Sequence, residues 1–124
     1  MSAKILLVED DTFLSSLLKN RLQKEGFEII LVRDGGEALA SLNNFAPDLI
    51  LLDIILPKKS GFEVMEEVLK NPQLKNPKTP IIIISNLGQP EDIERGRRLG
   101  AIEYFIKAKI SIDELTEKIK SFVS

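Results

Sequence analysis

The sequence predicts an α/β domain in three layers: a five-stranded parallel sheet, doubly wound, with helices on both faces. Three observations predict it. Five short aliphatic runs alternate strictly with five stretches of helical apolar spacing, the pattern of parallel strands joined by right-handed helical crossovers. Two of the runs, Leu49–Leu52 and Ile81–Ile84, are apolar without a break, as strands buried on both faces are. Several helical stretches also open on a capping residue followed three positions later by Glu. At 124 residues the chain is expected to be one domain, 1–124, large enough to bury most of a core.

Lys4–Val8 reads as the first strand and ends abruptly in Glu9-Asp10-Asp11. Asp11 or Thr12 can cap a helix with Leu14, Leu17, Leu18 and Leu22 on one face and Gly26 as its stop. Residues 27–32 form the second strand, and Asp34 with Glu37 makes a capping box for a helix with Ala38, Leu39 and Leu42 inward. The third strand, 49–52, delivers Asp53; Pro57, which has no N–H for a ladder, closes the segment. Ser60 and Glu63 cap a helix with Phe62, Val64, Met65, Val68 and Leu69 inward.

Pro72, Pro77 and Pro80 punctuate a polar loop before the fourth strand, 81–84, which ends in Ser85-Asn86. Pro90, Glu91 and Asp92 open a weaker helix with Gly96 inside it and only Ile93 and Leu99 as anchors, so it is expected to be the more mobile one. Residues 102–106 form the fifth strand and deliver Lys107. Ser111 and Glu114 cap a last helix with Ile112, Leu115, Ile119 and Phe122 inward.

Composition narrows the chemistry. There is no cysteine and no histidine, which excludes disulfides, thiolate or imidazole metal sites, serine–histidine hydrolysis and an internal phosphohistidine. A net charge of −2 argues against a general affinity for nucleic acid or an acidic membrane. The apolar run before Glu9 is too short for a signal peptide, and no stretch is long enough to span a bilayer, so a cytoplasmic location is expected.

In a doubly wound sheet the ligand site lies beyond the carboxyl ends of the strands, at the point where strand order reverses. Glu9 and Asp10, Asp53, Ser85 and Lys107 all fall at strand ends on that edge. Carboxylates crowded there repel one another unless a cation joins them, and an all-oxygen set suits Mg²⁺, Mn²⁺ or Ca²⁺, with so few carboxylates favouring Mg²⁺ that keeps several waters. A carboxylate, a magnesium ion, a lysine and a hydroxyl are together the parts of a phosphoryl-transfer site. With no histidine or cysteine to take the group, a carboxylate is the nucleophile that remains.

The pieces Val8-Glu9-Asp10-Asp11, Asp53 with Pro57 and Gly61, Ile84-Ser85-Asn86 and Tyr104-Phe105-Ile106-Lys107 resemble, in order and spacing, a response-regulator receiver domain of two-component signalling, along nearly the whole chain. The resemblance implies a flavodoxin-like fold and a phosphoprotein whose acceptor is Asp53. It further implies Mg²⁺ held by Asp10, Asp53 and the main-chain carbonyl of Ile55, with Glu9 acting through water. Ser85 and Lys107 would hold the phosphoryl oxygens, and Tyr104 would turn inward as Ser85 moves toward the phosphoryl group. The expected phosphodonor is a sensor histidine kinase or a phosphotransfer protein. The output partner is unidentified, and a phosphorylation-dependent homodimer fits the mixed-charge face that carries Arg95, Arg97, Arg98, Asp113, Glu117 and Lys118. Receivers usually carry a cis proline after the lysine. Here Ala108 follows Lys107, and a cis bond before a non-proline costs about 3 kcal/mol, so a trans bond is expected.

The chain is not expected to turn over a separate substrate. A magnesium-dependent phosphohydrolase and a receiver-like interaction module that is not phosphorylated are the rivals. The first lacks an acid/base group and a substrate cap; the second sits poorly with the intact acidic, serine and lysine set. Ile55 and Leu87, two residues beyond Asp53 and Ser85, are apolar and cannot orient a water, so a long-lived acyl phosphate is expected. No DNA-binding or enzymatic domain is attached in the sequence, which suits either a single-domain regulator or part of a longer one.

Overall fold

In the computed structural model, residues 2–71, 73 and 79–123 are described; Pro72 and Pro77 of the polar loop lie outside them. The elements run β1 (Lys4–Val8), α1 (Thr12–Lys24), β2 (Glu28–Val32), α2 (Gly35–Leu42), β3 (Leu49–Leu52), α3 (Gly61–Lys70), β4 (Ile81–Ser85), α4 (Pro90–Arg98), β5 (Ala101–Ile106) and α5 (Ile112–Val123). A 3₁₀ turn, Lys107–Lys109, joins β5 to α5. All strand pairs are parallel, in the order β2-β1-β3-β4-β5. Order therefore reverses between β1 and β3, the crevice where the acidic strand ends were expected to meet.

Period-two alternation splits the core between the two faces of the sheet. Leu6, Val8, Ile50, Leu52 and Ile83 pack with α2 and α3 through Ala38, Leu42, Phe62, Met65 and Val68. Ile5, Leu7, Leu51, Ile82 and Ile84 pack with α1 and α5 through Leu18, Leu22, Leu115 and Ile119. Because β1, β3 and β4 carry apolar side chains on both faces, their ends are fixed from two sides.

Several expectations are corrected. Leu17, Leu69 and Phe122 are exposed by 40%, 60% and 39%. Leu14, Leu18 and Leu22 already form the inward stripe of α1, and Leu17 lies roughly 100° around the helix from its centre; Leu69 likewise flanks the stripe of α3, and Phe122 sits in the last turn. Asp34 caps α2 by accepting from the Glu37 N–H, but the Glu37 carboxylate accepts from the Arg33 N–H, one residue before the cap. The Ser60–Glu63 and Ser111–Glu114 boxes close in both directions, and Asp11 rather than Thr12 caps α1. Gly96 is the one buried residue of α4. A Cβ there would stand 2.7 Å from Ile83 and 2.9 Å from the Tyr104 ring, so α4 can lie this close to β5 only through a glycine. Arg95 adds a tie to α3, over the Phe62 ring at 4.4 Å and 3.4 Å from Glu66.

Candidate functional site

The parallel register places the acidic groups. Val8 pairs with Leu52, and the Asp53 N–H donates to the Val8 carbonyl at 3.0 Å while the Glu9 N–H donates to Val32 at 3.1 Å. Glu9 and Asp53 thus stand side by side, one residue past the end of a paired ladder, with 1% and 3% of their surface exposed. Lys107 arrives from the end of β5. Its Nζ lies 2.7 Å from Asp53 Oδ2 and 2.8 Å from Glu9 Oε1. The other oxygens are held by main chain: Asp53 Oδ1 accepts from the Ile55 N–H at 3.2 Å, and Glu9 Oε2 from the Asp11 N–H at 3.0 Å.

Glu9, Asp10, Asp11, Asp53, Ile55, Asn86 and Lys107 line a cleft of about 320 Å³. Four carboxylates face one ammonium there, an excess of negative charge that favours a cation. Burial is the main effect on Glu9 and raises its pKa above the ordinary carboxylate range, against the opposing pull of Lys107. Burial pulls Lys107 down, but its bonds to Asp53 and Glu9 outweigh this and leave it above the ordinary lysine value. Glu9 Oε1 is buried and lacks an aligned hydrogen bond; its contact with Lys107 is ionic. Among the described residues no three acidic side chains converge as a preformed metal cage: Glu9 and Asp53 turn to Lys107, and Asp10 is exposed on the lip.

Ser85 and Tyr104 lie deeper. Ser85 is fully buried, and its Oγ accepts from the Leu87 N–H at 3.2 Å. Tyr104 is already inward and 8% exposed, with its hydroxyl donating to the Leu87 carbonyl. One peptide segment therefore touches both residues, a link that sequence reasoning missed because it runs through main chain. The Leu87 side chain packs on the core and is not at the cleft, so of the two apolar residues expected beside the attack path only Ile55, 60% exposed, stands there. Asn86, which the sequence places at a strand end and in the Ile84-Ser85-Asn86 piece without a role of its own, lines the cleft and accepts from the Ala108 N–H at 3.2 Å. No cis peptide occurs among the described residues, so Lys107–Ala108 is trans.

Burial first, then the negative charges of Asp92 and Asp53, push the Tyr104 pKa from 10.0 up to about 12. Raising it means the fold favours the neutral phenol. Stability is thus untouched below pH 10 and is lost as pH rises from 10 toward 12. Tyr104 is the single tyrosine and there is no tryptophan, so tyrosinate absorbance in an alkaline titration reports this residue alone. Half-ionisation of the folded protein near the ordinary phenol value would show that the ring is not held as described.

The family model for the response regulator receiver domain matches residues 5–120. The transcriptional regulatory protein CpxR of Klebsiella pneumoniae is 39% identical over 120 residues, 97% of this chain and 49% of that protein; the chain thus spans about half the length of that relative. The polar-differentiation response regulator DivK of Brucella ovis is 34% identical over 123 residues, covering 99% of this chain and 98% of its own. A receiver domain of a sensor histidine kinase from Pseudomonas aeruginosa, solved with a magnesium ion coordinated in its active-site cleft, superimposes with a TM-score of 0.85 at 26% identity, over 99% of this chain and 98% of that one. The fold is the flavodoxin-like one expected. With the match running from β1 into α5 and the acidic crevice at the strand-order reversal, the chain belongs to the response regulator receiver domains of two-component signal transduction.

Proposed function

We propose that this receiver accepts a phosphoryl group on Asp53 from a phosphohistidine of a sensor histidine kinase or phosphotransfer protein, and that the acyl phosphate changes how α4, β5 and α5 meet a partner. The observation that carries this reading is the buried Asp53–Lys107–Glu9 cluster at the mouth of the strand-order reversal. A carboxylate oxygen of Asp53 attacks phosphorus, the phosphorus–nitrogen bond breaks, and the imidazole of the donor keeps the electron pair. Lys107, held charged by its two carboxylates, lies where it can balance the negative charge of the transferred group. Ser85 Oγ accepts from the Leu87 N–H and keeps its own O–H to donate to a phosphoryl oxygen, so a movement of Ser85 toward that oxygen pulls on the segment that also receives the Tyr104 hydroxyl. The phosphoryl group must contact one state better than the other to shift the population, and the Ser85 hydroxyl supplies that differential contact.

The donor set fits Mg²⁺. Glu9 Oε1 is buried without an aligned donor, Asp10 is free on the lip, and the cleft has room for a hydrated ion. Asp10, Asp53 and the Ile55 carbonyl would hold it, with Glu9 acting through water. When bound, Mg²⁺ neutralises charge on the phosphoryl oxygens. Exposure to a small phosphodonor with Mg²⁺, followed by intact-mass measurement, tests the reading. A stable gain of one phosphoryl group is expected; turnover of the donor without an adduct, or no reaction, overturns it.

Metal binding should depend on Asp10 far more than on Asp11. Asp11 Oδ1 accepts from the Leu14 N–H at 2.9 Å as the cap of α1. Asp10→Ala is expected to weaken Mg²⁺ binding by on the order of tenfold or more, the scale for losing a group that supports a metal. Asp11→Ala should mainly cost about 1 kcal/mol of stability. Titrations that rank the two variants the other way would shift the metal site by one residue.

A further inference from the structure

We infer that Asn86 is a positioning residue for Lys107: its side chain extends the β4–β5 pairing by one step past the last backbone pair and so fixes where the lysine leaves the sheet. The inference rests on the phosphoacceptor reading for its consequence in catalysis, though not for its geometry.

The β4–β5 ladder ends at Ser85 opposite Ile106. Beyond it the two chains part, one into the loop 86–89 and the other into the 3₁₀ turn Lys107–Lys109. Lys107 is the first residue past the ladder, and its ammonium must meet two buried carboxylates at 2.7 and 2.8 Å. A lysine has four rotatable side-chain bonds, so its backbone origin must be held if one rotamer is to dominate. On the sheet side Ile106 holds it through the ladder. On the turn side the Ala108 N–H donates to Asn86 Oδ1 at 3.2 Å. Lys107 is bracketed by these two ties.

The loop carrying Asn86 is itself braced. Gly88 lies against β5: a Cβ there would stand 2.6 Å from Ile106 Cδ1, so the loop rests on the side chain at the end of the ladder. The Leu87 N–H and carbonyl engage Ser85 and Tyr104. Asn86 therefore acts from a seated loop. An asparagine suits the task because it is short and offers a neutral acceptor; a bare methyl at this position would leave the Ala108 N–H to solvent.

The experiment uses the full chain. In Asn86→Ala, phosphorylation by acetyl phosphate with Mg²⁺ should slow by roughly three- to tenfold, the scale of one lost hydrogen bond. The Ala108 amide should exchange faster with solvent and the Lys107 side-chain resonances should shift. Asn86→Asp keeps an acceptor and should keep the Ala108 amide protected. In an Ala108→Pro background, where no N–H remains to be held, Asn86→Ala should have no further effect on rate. An unchanged rate in the single variant overturns the inference. So does an equal loss in the proline background, which would mean that Asn86 acts on the phosphoryl group directly. Unmoved Ala108 and Lys107 signals in Asn86→Ala overturn it as well, and they decide the question if the proline variant fails to fold. Absence of any phosphoryl adduct on the unaltered chain would count against the proposed function instead, leaving the resonance measurements to decide on Asn86.

Discussion

Asp53→Asn is expected to abolish phosphoryl uptake from a small donor with Mg²⁺ while leaving the fold intact. The loss should be complete, because the chain has no histidine and no cysteine and its hydroxyls have no imidazole beside them to take their proton. An amide is not a nucleophile toward phosphorus under these conditions. The fold should survive because Asn has the same shape, its Oδ1 can still accept from the Ile55 N–H, and Lys107, which would then face an amide NH₂ in place of Oδ2, can turn to Glu9, its other partner. Removing one of four carboxylates from the cleft also relieves repulsion, so the stability change should stay within about 1 kcal/mol. Intact-mass measurement checks the chemistry and thermal melting checks the fold. Labelling equal to that of the unaltered chain would move the acceptor away from Asp53 and sink the central proposal.

How much of this was legible in the residues depends on the range of the interaction concerned. Leu49–Leu52 could be read as a doubly buried strand because four aliphatic residues in a row admit few alternatives, and every one is buried. That Asp53, Glu9 and Lys107 share one edge follows from parallel strands in alternation with helices, since all strand ends then face the same way. What periodicity could not show is which side of a helical stripe stays dry: Leu17 and Leu69 look inward by spacing and face solvent, because the neighbouring elements fill only a narrow strip. The orientation of Ser85 was equally out of reach. Its Oγ accepts from the Leu87 N–H two residues on, and nothing in the spacing marks that main-chain contact. The Asn86–Ala108 bond joins positions 22 apart in sequence. Only the meeting of β4 and β5 brings them together, and no local pattern marks it.

Gly61→Ala should be a strongly damaging small change, and it would strike fold and site at once. A Cβ on Gly61 would lie 2.4 Å from the Asp53 carbonyl oxygen and 2.9 Å from the Ile54 Cα. Both are main-chain atoms at the exit of β3, so neither can swing aside as a side chain would. The Gly61 N–H also donates to the Ile54 carbonyl at 2.9 Å, which draws the start of α3 against the segment that carries the acceptor. Relief requires α3 or the Asp53 backbone to shift, and Asp53 is held by Val8 on one side and Lys107 on the other. A loss of roughly 2–4 kcal/mol is expected, the upper range for overpacking a closed core, with phosphoryl uptake slowed even in the molecules that remain folded. Gly36→Ala is the milder comparison: its Cβ would meet only Asp34 Oδ1, at 3.2 Å, the oxygen that caps α2, and the gain in helix propensity offsets a strained cap, so stability should stay within about 1 kcal/mol of the parent. Denaturant melts of both variants, with phosphorylation rates measured well below the midpoint, separate the two effects. A Gly61→Ala protein as stable as the parent would mean that α3 can withdraw from β3 freely, and the close seating of Asp53 described above would then be wrong.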